Sequence, residues 1–173
     1  MKNTKKIALS GISTAFATIF LIFGNYIPLL DYSFYLLASL CITLPFATKE
    51  IRWAFLTFVV STILGMIFVP NLMVMFSFFA FFGPYALLAG IMRMKHVKKM
   101  LQYIIKGIFF ALSIFLMYKF TSLFVEIGTL GSYKLPLPLL FVAAFALMYV
   151  YDYMMLRIIG QLEKTTLRLM SKY

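Results

Sequence analysis

Residues 49–99 read KEIRWAFLTFVVSTILGMIFVPNLMVMFSFFAFFGPYALLAGIMRMKHVKK. Two apolar runs, 51–69 and 72–92, are joined by Pro70-Asn71, and the turn between them carries no base. Basic residues flank the pair on both sides: Lys49 and Arg52 before it, Arg93, Lys95, Lys98 and Lys99 after it. A run of roughly 20 apolar residues is long enough to cross the hydrocarbon of a bilayer as a helix. Lysine and arginine collect in loops on the cytoplasmic side of a membrane. The stretch therefore predicts a helical hairpin that leaves the cytoplasmic side, turns at Pro70-Asn71 and returns.

The same alternation extends in both directions. The N-terminal tail is basic (Lys2, Lys5, Lys6), and so is the C-terminal one (Lys164, Arg168, Lys172). The gap at Leu30–Tyr32 has no base, and the gap Glu126–Leu135 carries only Lys134. This predicts an all-α integral membrane protein, a bundle of six transmembrane helices with both termini cytoplasmic. The expected spans are approximately 7–29, 33–47, 51–69, 72–92, 101–125 and 139–159, with 161–173 as a cytoplasmic tail or surface helix. The second is short. Gly83-Pro84 interrupts the fourth and is expected to kink it or to open a pocket wall, because proline removes a backbone donor. The N-terminus resembles a secretory leader, with Ala15-Phe16-Ala17 in the place of a cleavage site. Its apolar core holds three hydroxylic residues and a glycine, so it reads as an uncleaved first span.

Composition excludes several classes. Hydrophobic residues make up 64% of the 173 and charged ones 12%, far from the balance of a globular domain. The net charge of +11 lies beside the spans. Topology and anionic headgroups account for it, and no nucleic-acid partner is expected. A single cysteine, Cys41, allows no internal disulfide. The one histidine, His96, lies in a basic loop, and the five acids (Asp31, Glu50, Glu126, Asp152, Glu163) are scattered. No metal-ligand spacing and no phosphate-binding loop is present. The chain therefore reads as a non-enzyme without a cofactor, and any uphill transport has to be driven by a partner or an ion.

Ionisable groups inside a span are costly and face a cavity or a counter-ion. Lys106 and Asp152 fall at similar depth on two antiparallel helices and are expected to form a structural ion pair. Lys119 lies in the outer third of the fifth span. It either snorkels to the surface, pairs with Asp31 or Glu126, or binds an anionic ligand. Around it the outer ends supply Asn25, Tyr26, Asp31, Asn71 and Tyr133, which suit a flat organic ligand and equally an interfacial tyrosine belt. On the first span Ala8, Gly11, Ala15 and Thr18 form a smooth stripe, fit either for another protein's helix or for this protein's own.

Taken together, the small-residue first helix, the Val69-Pro70-Asn71 turn, the Phe81-Phe82-Gly83-x-Tyr85 segment and Tyr151-Asp152-Tyr153 resemble the substrate-binding S component of energy-coupling-factor (ECF) vitamin transporters. More narrowly, they resemble S-component-like membrane proteins of Gram-positive bacteria. The resemblance implies a subunit of the bacterial cytoplasmic membrane that captures a vitamin or similar micronutrient at its outer face. Such a subunit docks on a transmembrane coupling subunit with two ATPase subunits and topples to release its cargo. By position, Lys119, Glu126, Tyr133, Asn25, Tyr26, Asp31 and Asn71 would bind substrate, and Ala8, Gly11 and Ala15 would form the docking face. The competing expectation is a non-transporting scaffold protein of the cell envelope.

Overall fold

A computed structural model of the chain describes residues 3–27, 30–95, 97–124, 149–155, 157 and 160–161. The described residues are helical throughout apart from short turns. Of the expected elements, the loop at 128–138, the first part of the sixth span and nearly all of the C-terminal tail lie outside them, with Glu126 and Tyr133.

Helix α1 (Asn3–Tyr26) shows why the fold needs a lipid surround. Its buried positions are Ser10, Ser13, Thr14, Ala17, Thr18, Leu21 and Gly24, mostly small or hydroxylic. Its outward face carries Ile7, Ile12, Phe16, Ile19 and Phe23. Helix α3 (Ile51–Phe68) repeats the scheme, burying Ala54, Thr57, Phe58, Ser61, Thr62 and Gly65 and exposing Phe55, Ile63 and Ile67. In water this arrangement would be inside out. In a bilayer, where hydrocarbon is as apolar as any core, small residues are placed between helices so that backbones approach closely. Thr14 donates locally to the Ser10 carbonyl (2.8 Å) and Thr62 to that of Phe58 (2.8 Å), whereas the buried Ser13 Oγ has no hydrogen-bond partner among the described residues. Between the helices Ser10 Oγ meets Thr57 Oγ1 at 2.8 Å, with longer contacts from Ser10 Oγ to the Trp53 carbonyl (3.4 Å) and from Thr57 Oγ1 to the Ser10 carbonyl (3.5 Å). At the basic end Lys6 pairs with the half-exposed Glu50, which also accepts from Trp53 Nε1 at 2.8 Å. The Lys6 hydrogen bond, then that of Trp53, holds the Glu50 carboxyl below its ordinary pKa.

Helix α2 (Asp31–Thr43) is about 20 Å long, short for a span. A 3₁₀ stretch, Leu44–Thr48, begins with Pro45 in its first turn and adds roughly 10 Å. Lys49 closes it in the left-handed region (φ 60°), and α3 starts after Glu50.

The fourth rod is composite: α4 (Leu72–Ser77), a π turn (Phe78–Phe82) and α5 (Gly83–Met94). The interruption expected at Gly83-Pro84 takes this form. Pro84 has no N–H to offer the Ala80 carbonyl, and the backbone widens to i→i+5, with the Gly83 N–H bonded to the Phe78 carbonyl. Gly83 lies against the Phe58 ring and Gly90 against that of Phe46, so this rod packs where side chains are absent. Helix α6 (Lys99–Phe124) follows, and residues 149–155 form α7.

Among the described residues four helices are long and apolar enough to cross a membrane: Asn3–Tyr26, Ile51–Phe68, Met75–Met94 and Lys99–Met117. The chain is thus an all-helical protein of multi-pass membrane type.

Candidate ligand cavity and buried charge cluster

Helix α7 positions the chemistry by its phase. Tyr149, Val150, Tyr153 and Met154 are exposed, whereas Tyr151, Asp152 and Met155 are buried. Asp152 therefore enters the bundle. Its Oδ1 accepts two hydrogen bonds, one from Lys106 Nζ of α6 at 2.5 Å and one from Tyr85 Oη of α5 at 2.5 Å. Lys106 is 4% exposed and Tyr85 0%, so the carboxylate has a counter-charge and a neutral donor in an apolar setting. That is the condition under which a buried charge is tolerable.

Above this trio lies an aromatic floor. The Tyr151 ring sits 5.1 Å from that of Tyr85, 5.7 Å from Phe82 and 5.9 Å from Phe81. Tyr151 Oη is 2.9 Å from Ser39 Oγ, and Ser39 in turn donates to the Leu36 carbonyl at 2.7 Å. The floor bounds a cavity of about 520 Å³. The first turn of α2 contributes Tyr32 and Ser33 to its wall, the irregular rod contributes Ser77, Phe81 and Phe82, and α6 contributes Phe110 and Ser113. The cavity lies toward the end of the bundle away from the basic loops. Lys106 is about 10 Å along α6 from Lys99, and Ser113 is about 10 Å further. Ser113 Oγ lies 2.9 Å from the Phe109 carbonyl and 3.2 Å from that of Ala80, the carbonyl that Pro84 leaves without an α-helical donor.

Lys106 and Asp152, expected as a structural pair, meet here, and Tyr85 joins them. The residues expected at the outer mouth are placed elsewhere. Tyr26 and Asn71 are exposed, Asn25 and Asp31 half-buried, and Asp31 Oδ1 accepts the Tyr32 N–H at 3.0 Å. Lys119 is exposed on α6. None of these five is among the described residues lining the cavity. On α1, Ala8, Gly11 and Ala15 all face outward, and a side chain added at Gly11 would meet nothing within 4 Å. Thr18, at the edge of that stripe, turns inward instead.

Sequence reasoning missed Ser39, Ser113 and the part played by Tyr85 and Tyr151. The last two belong to the short segments that carry the family resemblance. The geometry supplies what those segments lacked as strings: Tyr85 bonds Asp152, and Tyr151 roofs the pair. Compared with known proteins, the chain matches no family model, no curated protein and no solved structure.

Proposed function

We propose that the chain is a substrate-capture subunit of an ECF-type importer in a bacterial cytoplasmic membrane. In this reading α2 with its 3₁₀ extension and the expected span 139–159, to which α7 belongs, complete six spans. Both termini lie on the cytoplasmic, basic side, and the cavity opens toward the outside. The observation that carries the reading is the cavity itself. A space of about 520 Å³, walled by aromatic rings with a few hydroxyls, has the size and lining of a small-molecule site. The outward small-residue face of α1 supports it, since a helix of another subunit can approach Ala8, Gly11 and Ala15 closely. The family resemblance adds the division of labour: this chain binds a vitamin or similar micronutrient, while a coupling subunit and two ATPase subunits supply the energy.

Affinity purification from native membranes in mild detergent tests the reading, with mass spectrometry of the proteins and small molecules retained. Two ATPases, a coupling subunit and a bound metabolite are the expected yield. A stable, folded preparation that retains none of them would favour a scaffold of the cell envelope.

A further inference from the structure

The hydroxyls of the cavity wall differ in what they can still do. Ser113 is 2% exposed, and its single proton faces two carbonyls, of Phe109 and Ala80. Carbonyls only accept, so whichever one receives the proton, Ser113 Oγ is left with lone pairs and no hydrogen to give. The same logic fixes Tyr151. Ser39 donates to the Leu36 carbonyl, so the Ser39–Tyr151 contact is satisfied only with Tyr151 as donor. Both buried hydroxyls of the wall have thus committed their protons to the protein. The buried charges Lys106 and Asp152 are paired beneath the floor. The described wall carries no charged side chain.

Beyond the less buried hydroxyls of Tyr32, Ser33 and Ser77, the wall is apolar and its buried polar atoms only accept, so its depth is a poor host for a carboxylate or phosphate. Such a group would lose its hydration and meet lone pairs. It is a good host for a flat molecule that fills the space between Phe81, Phe82, Phe110 and Tyr151 and brings its own donor. We infer that the cavity takes an uncharged, planar, mostly apolar ligand that donates a hydrogen bond from an N–H or O–H to Ser113 Oγ. The inference rests on the cavity being the capture site proposed above. It moves ligand recognition away from Lys119 and an anion, to a serine set by Pro84. Because Pro84 cannot give the Ala80 carbonyl its α-helical donor, Ser113 can turn its proton there, and its lone pairs are available to the ligand.

The test uses the full chain in lipid nanodiscs, titrated calorimetrically against empty-disc controls with three probes. Indole has a donor, benzofuran has the same shape without one, and indole-3-carboxylate adds a negative charge. One hydrogen bond corresponds to about tenfold in affinity. Indole should bind about tenfold tighter than benzofuran, and the carboxylate weakest. The indole preference should fall to about twofold in both Ser113→Ala and Ser113→Cys, the latter keeping the volume. Equal binding of indole and benzofuran, tightest binding of the carboxylate, or an indole preference unchanged in both variants overturns the inference and leaves the capture reading standing. No saturable binding of any probe to folded protein overturns both.

Discussion

Lys106→Met should cost the fold about 3–5 kcal/mol, because it leaves the Asp152 carboxylate buried with only the Tyr85 hydroxyl to answer its charge. Asp152→Leu should cost a similar amount, since it strands the Lys106 ammonium, which is 4% exposed. At roughly 2–4 °C per kcal/mol for a chain of this size, each loss is on the order of 10 °C in melting temperature. The double variant is the informative one. With both charges gone, only the Tyr85 hydroxyl lacks its partner, an unsatisfied group worth about 1–3 kcal/mol. Lys106→Met/Asp152→Leu should therefore be more stable than either single variant, and adding Tyr85→Phe should restore still more. The assay is the fraction of protein that stays monodisperse in detergent after heating, read by size-exclusion chromatography. A double variant that falls as far as the two singles summed would refute the reasoning, because the two groups would then act independently. Little change in either single variant would show that neither charge depends on the other.

The remaining predictions concern packing, pH and partners. Gly83→Ala places a methyl group against the Phe58 ring and should cost about 1–3 kcal/mol by overpacking, seen as a lowered melting point, whereas Gly11→Ala should be neutral. Because the folded pKa of Glu50 is depressed, its contribution is fully present above the ordinary carboxylate value of 4.5. That contribution is lost as pH falls below this value through the lowered folded one. Melting curves between pH 7 and pH 3 should show a shallower acid loss for Glu50→Gln than for the wild type, and identical curves would remove the Lys6–Glu50 link from the stability of the basic end. Gly11→Leu with Ala15→Leu should leave the melting point unchanged, as both positions face outward. The same pair should abolish co-purification of a coupling subunit, and a complex that survives both changes would place the docking face elsewhere.

Charge made the architecture legible. Lysine and arginine are rare in apolar runs, so their positions mark the loops, and Lys106 and Asp152 stand out for the same reason. Two ionisable groups at matching depth on antiparallel helices have few other partners. Aromatic residues carry no such mark. With 20 phenylalanines and 11 tyrosines in the chain, nothing in the string separates Tyr85 and Tyr151 from a surface belt. Their burial depends on helix phase, and the phase of the fourth rod is altered by the π turn. Ser113 was hidden differently. Its importance comes from the Ala80 carbonyl, which Pro84 deprives of its α-helical donor and which lies on another helix, so that it emerges only once α6 packs beside the π turn. On α1 the stripe from Ala8 to Ala15 was visible as a period, but whether it faced inward or outward was not. The Ser10 hydroxyl, which finds its partner in Thr57 on α3, turns the face opposite the stripe inward.

The π turn acts as a phase setting. It holds one residue more than the α-helical turn it replaces, and each residue of an α-helix turns the chain by about 100°. The turn, which itself brings Phe81 and Phe82 to the cavity wall, therefore holds Ser77 before it and Tyr85 after it at a fixed rotational offset. A single-residue deletion among 78–82 would change little in length or hydropathy. It would swing Tyr85, Ala86 and Ala89 around the helix axis together and unlock the charge cluster, and it would also disturb the cavity wall at Phe81 and Phe82, which belong to the same turn. In this protein the count of residues in one turn is a dial that couples the empty half of the bundle to the charged half.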